Sequence, residues 1–492
     1  MAALLSLPSR ARRPAAIPSS LTKKAPPFAC PSPSSRVPIC RKRRLSVLCL
    51  QKSQADLEVL GSFQGWLREK GVSFPSVKPG FVPEGLGLVA QKDIGRNEVV
   101  VEVPKRTWIN LDTVAASVIG PVCSGSKPWI RIALFLLREM AVGEKSDWSP
   151  YIRILPKHMD STIYWSEEEL AELEGTQLLS TTLSVKEYVE SEFNKVHKEI
   201  LVPHHHVFPH PVTLDDFLWA FTILRSRAFS QHRGENLVLI PLADLINHSS
   251  SITTENSAWQ IKGTGLFSRE LIFSLRAPAP VKAGDQVYIQ YDLKKSNAEL
   301  ALDYGFIETN SDRDVYTLTL EIPESDPFYE DKLDIAELNG LGTVAYFDVV
   351  LGRSLPELML PYLRLLALGG SDAFLLEALF RDSIWDHLQL PVSRSNEEFM
   401  CEVVACACQT ALSGYKTTID EDEELKGRGD LPPRLKIAVG VRAAEKKVLQ
   451  HVLKVFGERG MELDGLEYYQ ERRLKELGLV GEQGEIIFWE SK

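Results

Sequence analysis

Asp244, Asn247 and His248 fall within five positions of the run LIPLADLINHSS (239–250), directly after an apolar stretch. Left buried and unpaired, such groups cost roughly 1–3 kcal/mol for each neutral one, so a partner or a ligand must satisfy them. The segment QYDLKKSNAELALDYGF (290–306) places Tyr291 and Tyr304 thirteen residues apart, each beside an Asp and each near a strand-like end. Two phenols so arranged can line a narrow aromatic slot for an alkylammonium group by cation–π contact, and the plainer alternative is two core tyrosines with satisfied hydroxyls. RSRAF supplies Arg225 and Arg227, each able to hold a carboxylate in a bidentate pair or simply to oppose a helix dipole. In Glu84-Gly85-Leu86-Gly87 the glycines allow a tight turn and close approach of a ligand to the backbone; an ordinary β-turn would use them equally. The GxGxxG pattern of a dinucleotide site is absent there.

Two other clusters invite a metal reading and do not hold it. Cys401, Cys406 and Cys408 sit in a helix-like run, MCEVVACACQTAL, without a His nearby, and read as small core residues. HHHVFPH (204–210) is bounded by prolines and reads as a solvated loop. No metal is expected.

The elements that must position these residues alternate in kind. LEVLGSFQGWLREKG (57–71) has the period of a short amphipathic helix ending at Gly71. GLGLVAQKDI and NEVVVEVPKRTWIN follow with the branched, alternating pattern of strands. From about Leu111 to Ser226 the pattern turns helical, with Ser166 and Glu169 spaced as a capping box, and reads as a helical insertion between sheet segments. NLVLIPLADLI, LIFSLRAPAPV and QVYIQYDL return to strand character, and YTLTLEI is the last extended piece before a helical remainder. A domain boundary is expected near residues 305 to 330.

The whole chain bounds the function classes. Its 492 residues suffice for two to four domains, and 44% hydrophobic with 25% charged residues is ordinary for a globular protein. No run of about 18 apolar residues is present, so no membrane span is expected. Residues 1–50 hold ten Lys or Arg and no Asp or Glu, the composition of an organelle transit peptide. Without those ten charges the formal charge falls from −10 to about −20, which disfavours nonspecific nucleic-acid binding. Of seven Cys, Cys30, Cys40 and Cys49 lie in or beside the leader, and the remainder suggest no disulfide framework.

EGLG, RSRAF, LADLINHSS, YIQYD and ELALDYGF, in this order, resemble the SET-domain protein lysine methyltransferases over about residues 62–308. The helical remainder resembles that of one branch, the plant Rubisco large-subunit methyltransferases. The resemblance implies an α+β fold: small curved sheets around a pseudoknot with the helical insertion at about 111–226, then an all-α substrate-binding domain at 325–492. It implies S-adenosylmethionine as methyl donor, with the Glu84, Gly85 and Leu86 backbone and Asn247 at its amino-acid end. Arg227 would pair with the donor's carboxylate, and the His248 main chain would meet the adenine. Tyr291 stands at the position of the family's catalytic tyrosine, with Asp244 and Tyr304 bordering the lysine channel and Arg227 reaching both ligands. Two positions depart from the family pattern: Trp259 stands where a third channel tyrosine is expected, and Gln231 where a second arginine is expected. No Cys-rich zinc segment follows Phe306, so the helical domain must close the channel. The implied substrate is a lysine in the N-terminal tail of the Rubisco large subunit, in the chloroplast stroma, with plastid fructose-bisphosphate aldolase as the alternative. A catalytically inert SET-derived binding module is the alternative of another class.

Overall fold

A computed structural model describes residues 54–231, 236–253, 259–263, 271–309, 311–381, 383–480 and 486; the segment 1–50 expected to be a transit peptide lies outside them. The first helix, Gln54–Glu69, buries Leu60, Phe63, Trp66 and Leu67 on one stripe, as helical periodicity requires. Strands β1 (Val77–Val82) and β2 (Gly85–Ala90) form an antiparallel hairpin whose two-residue loop is Pro83-Glu84. Glu84 is therefore held at a hairpin tip. β9 (Gln286–Ile289) pairs antiparallel with β2, and β6 (Asn247–His248) pairs parallel with β9, so one four-stranded sheet runs β1-β2-β9-β6. A second sheet orders β3 (Val99–Pro104), β8 (Leu271–Arg276) and β7 (Trp259–Gly263), and β4 (Phe229–Gln231) with β5 (Asn236–Val238) makes a small pair.

Residues 111 to 227 contribute helices and no strand, as the periodicity indicates. Ser166 with Glu169, and Thr213 with Asp216, form capping boxes that satisfy the first backbone N–H groups of their helices. The helix Leu214–Arg227 buries Phe217, Ala220, Phe221, Ile223 and Leu224, and its last turn delivers Ser226 and Arg227 to the sheet edge.

Two sequence expectations change in detail. The apolar strand expected through NLVLIPLADLI is confined to Asn236–Val238 and a single bridge from Leu239 to Ile109. Pro241 has no N–H to donate to a ladder, and Leu242 then takes φ 75°, ψ −46°, a conformation that costs a non-glycine residue of order 1–3 kcal/mol. The chain leaves the strand as a 3₁₀ turn, Ala243–Leu245, that turns Asp244 inward. Tyr304, expected near a strand end, is instead the last residue of the helix Asn297–Tyr304, which Gly305 closes in the left-handed conformation.

The C-terminal region is helical, with one strand that the sequence reading did not single out. β10 (Val315–Glu321) pairs antiparallel with β11 (Val344–Val350) over seven residues. The described residues form two hydrophobic cores, one around Phe63, Leu134, Phe221 and Leu239 and one around Leu318, Phe347, Tyr362 and Met400. The helix Pro433–Met461 belongs to both: Ile437, Ala438 and Val441 pack into the first, Val448, Leu449, Val452 and Phe456 into the second.

Candidate active site

The β1–β2 hairpin tip, the end of helix Leu214–Arg227, the Asp244–His248 segment and the stretch from Tyr291 to Phe306 converge on a cleft of about 440 Å³. Residues Pro156 to Ser161, from the helical insertion, complete one wall. Of the residues singled out in sequence, Glu84, Arg227, Asp244, Asn247, His248, Tyr291 and Tyr304 all line it. Arg225 does not. Its Nε donates to Asp303 Oδ1 at 2.7 Å, and Lys295 Nζ takes the other carboxylate oxygen at 2.6 Å, so Arg225 is structural. Gln231 ends β4 and Trp259 begins β7, and their side chains lie outside the described residues.

Asn247 ties the hairpin to the sheet. Its Nδ2 donates to the Leu86 carbonyl at 3.1 Å and to Gln286 Oε1 at 2.6 Å, while Gln286 Nε2 donates to Glu84 Oε2 at 3.1 Å. A Cβ at Gly87 would come within 2.4 Å of Gln286 Oε1 and 2.9 Å of Asn247 Nδ2, so only glycine admits this network.

Asp244 is fully buried. Tyr151, on the short helix Ser149–Ile152, donates its hydroxyl to Asp244 Oδ2 at 2.8 Å. Arg227 Nη1 donates to the Asp244 carbonyl at 3.0 Å and stands 3.7 Å from Oδ2. Burial pushes the carboxyl up to about 6, with Arg227 and the Tyr151 hydrogen bond opposing the rise. Asp244 Oδ1 and the Tyr304 hydroxyl are buried without a hydrogen-bond partner. Two orphaned polar atoms bordering one cleft are what a polar ligand would satisfy.

Tyr291 lies two residues beyond β9. Its hydroxyl donates to the Ile246 carbonyl at 2.9 Å, and its main-chain N–H donates to His248 Nδ1 at 3.2 Å. The Tyr291 and Tyr304 rings are 4.8 Å apart, and His248 stacks on Phe306 at 5.1 Å. Burial pushes the Tyr291 phenol up to about 12, so it stays protonated at physiological pH. Phe306, Tyr151 and the 156–161 wall escaped the sequence reading. Phe306 lies two residues after Tyr304 in DYGF and was open to the same aromatic reasoning; Tyr151 lies 93 residues from Asp244 and gave no local signal.

Residues 85–292 match the SET domain family, and residues 323–449 match the family described as Rubisco LSMT substrate-binding. The chloroplastic [fructose-bisphosphate aldolase]-lysine N-methyltransferase of Arabidopsis thaliana is 63% identical over 455 residues, 92% of this chain and 94% of that protein. The chain belongs to the SET-domain Rubisco LSMT family. The chloroplastic ribulose-1,5 bisphosphate carboxylase/oxygenase large subunit N-methyltransferase of Nicotiana tabacum, a second relative in the family, is 60% identical, covering 92% of this chain and 93% of its own. The structure of Rubisco LSMT bound to AdoMet superposes with a TM-score of 0.80 at 60% identity, over 87% of this chain and 98% of that one. That of the SET domain of LSMT bound to lysine and AdoHcy gives 0.82 at 61%, over 87% and 97%. A more distant relative is the human actin-histidine N-methyltransferase, 29% identical over 79% of this chain and 67% of its own.

This family member is thus a SET-domain protein-lysine N-methyltransferase that uses S-adenosylmethionine, and the reading of an inert binding module is set aside. The cleft fits such a donor. It offers a guanidinium for a carboxylate, the hairpin tip at Glu84, a stacked aromatic pair, and buried polar atoms that lack partners.

Proposed function

We propose that this enzyme methylates a lysine in the N-terminal tail of the Rubisco large subunit, in the chloroplast stroma. The observation that carries the reading is one cleft that unites Tyr291, anchored at both its backbone and its hydroxyl, with the orphaned Tyr304 hydroxyl and Asp244 Oδ1. The match of residues 323–449 and the chloroplastic Rubisco-directed relatives at 60% and 62% identity support the substrate.

In this reading Glu84, Gly85 and Leu86 present backbone to the amino-acid end of S-adenosylmethionine together with Asn247. Arg227 pairs with its carboxylate, and the His248 main chain and the Phe306 face receive the adenine. The donor supplies an electrophilic methyl on a sulfonium sulfur. The lysine side comprises Asp244, Tyr304, Tyr291 and Arg227, with Trp259 and Gln231 at the two positions that depart from the family pattern. The Tyr291 proton is committed to the Ile246 carbonyl, which leaves the phenol oxygen to accept weak C–H···O contacts from the transferring methyl. Above about pH 6 Asp244 is anionic and attracts the incoming ammonium. A lysine attacks only after losing its proton, and desolvation against the paired Tyr291 and Tyr304 rings, beside a cationic sulfonium, lowers its pKa and favours that loss. Orientation in the slot then supplies much of the acceleration. No general base is assigned.

A second reading keeps the chemistry and takes plastid fructose-bisphosphate aldolase as target, favoured by the Arabidopsis relative at 63% identity. Incubation of the enzyme with labelled S-adenosylmethionine and each purified protein, followed by peptide mass spectrometry, separates the two. Label on a lysine of the Rubisco tail is expected; label in aldolase alone would overturn the favoured target.

A further inference from the structure

A buried polar chain that takes no direct part in the transfer runs behind the cleft. Arg313 Nε donates to Glu308 Oε2 at 2.9 Å, and Glu308 Oε1 lies 2.6 Å from His248 Nε2. The other ring nitrogen, Nδ1, accepts the main-chain N–H of Tyr291 at 3.2 Å. All three side chains are 4–7% exposed. A peptide N–H only donates, so Nδ1 presents a lone pair, and the neutral ring carries its proton on Nε2 and gives it to Glu308.

The chain is held at its far end as well. Asn297 clamps the Glu308 backbone, accepting its N–H at 2.8 Å and donating to its carbonyl at 3.1 Å, and Arg313 Nη1 donates to the Lys295 carbonyl at 2.5 Å. The His248 ring is further confined between Phe306 at 5.1 Å and Tyr291 at 5.2 Å. A swapped tautomer or a doubly protonated ring would set a second N–H against that of Tyr291 and break the bond. Burial keeps the imidazole below its usual pKa; Glu308 pulls the other way, and Arg313 adds to the lowering.

We propose that Glu308 and Arg313 are positioning residues for methyl transfer: they fix His248 in its Nε2–H form and, through it, the backbone of Tyr291. This rests on the role given to Tyr291 above. Tyr291 is anchored at its N–H and at its hydroxyl, so slackening the first lets the backbone and ring pivot about the hydroxyl bond and turns the phenol oxygen off line. Reactions that depend on in-line geometry are sensitive to shifts well under an ångström. Glu308 and Arg313 also line a cavity of about 800 Å³ where β10 and β11 meet the catalytic lobe, so the chain joins the active site to the junction between the lobes.

The test uses full-length enzyme labelled with ¹⁵N-histidine, the His248 signal being assigned as the one missing from His248→Gln. At about pH 7.5 the wild-type ring is expected as the neutral Nε2–H tautomer, and Glu308→Gln is expected to give a tautomeric mixture. Glu308→Gln and Arg313→Met should each lower kcat about tenfold, with KM for the protein substrate and the Kd for S-adenosylmethionine within about threefold of wild type. An Nδ1–H ring or an imidazolium in the wild type would overturn the proposal, and so would an unchanged kcat in a folded Glu308→Gln. The wild-type spectrum decides the tautomer even where a variant unfolds. Absence of transfer to any chloroplast protein would sink the functional reading instead, and leaves the tautomer measurement standing.

Discussion

Tyr291 is placed by two hydrogen bonds from opposite ends of the residue, and Asp244 by one from Tyr151 and one through its own carbonyl. These differ in what their loss should do. Tyr291→Phe removes the anchor to Ile246 and the oxygen that the proposed function puts at the transfer site, and is expected to lower kcat by about 10²–10³-fold. Titration calorimetry should find S-adenosylmethionine binding nearly unchanged. Tyr151→Phe acts on Asp244 alone. It removes a hydrogen bond that lowers the carboxyl, so Asp244 should titrate still higher than about 6 and the acid limb of kcat/KM should move to higher pH. The direction follows because the anion is the form that attracts lysine in the proposed function, and a higher pKa shortens the pH range in which it exists. Loss of one buried hydrogen bond should also cost about 1 kcal/mol in urea unfolding.

The β1–β2 hairpin and the short β6 strand meet through Asn247, and Gly87 is where they come closest. Gly87→Ala should push Gln286 and Asn247 aside and weaken S-adenosylmethionine binding by about tenfold, measured by calorimetry, with little change in melting temperature. What the sequence made legible follows from this geometry. EGLG, Asn247-His248 and Tyr291 each lie within a contiguous motif, so local spacing singled them out as candidates, and only their ordered combination gave them proposed roles. Tyr151 reaches Asp244 across 93 positions, so no periodicity could reveal the pair. The strand expected through NLVLIPLADLI was cut short because Pro241 cannot donate and Leu242 adopts a positive φ that propensity does not foresee. β11 was missed because VAYFDVV has the branched residues of a strand yet lies among segments of helical period, and its pairing with β10 is a tertiary fact. Gln231 and Trp259 were reached only through resemblance to a family.

The two lobes are joined by groups buried between them. Glu445, on the helix Pro433–Met461, accepts from the Gln177 N–H at 3.1 Å and from the Tyr415 hydroxyl at 2.7 Å, while Arg442 on the same helix bonds Glu172 and Asp422, each at 2.8 Å. Burial pushes Glu445 up to about 7. Since its folded pKa lies above the unfolded value, its contribution is fully present below about pH 4.5 and is lost as pH rises through about 7, a change of roughly 3 kcal/mol. Glu445→Gln should therefore flatten the dependence of stability on pH between about 5 and 8, as guanidinium titrations of both proteins would show; parallel curves would exclude this role. The same helix sets the order in which the protein can be completed during synthesis. Ile437, Ala438 and Val441 finish the core that surrounds the active site, yet they are translated after the larger part of the second lobe. The catalytic half leaves the ribosome with an open apolar seam, and a chimaera that exchanges substrate-binding lobes at the linear boundary would carry that gap permanently unless residues 433–441 stay with the catalytic half.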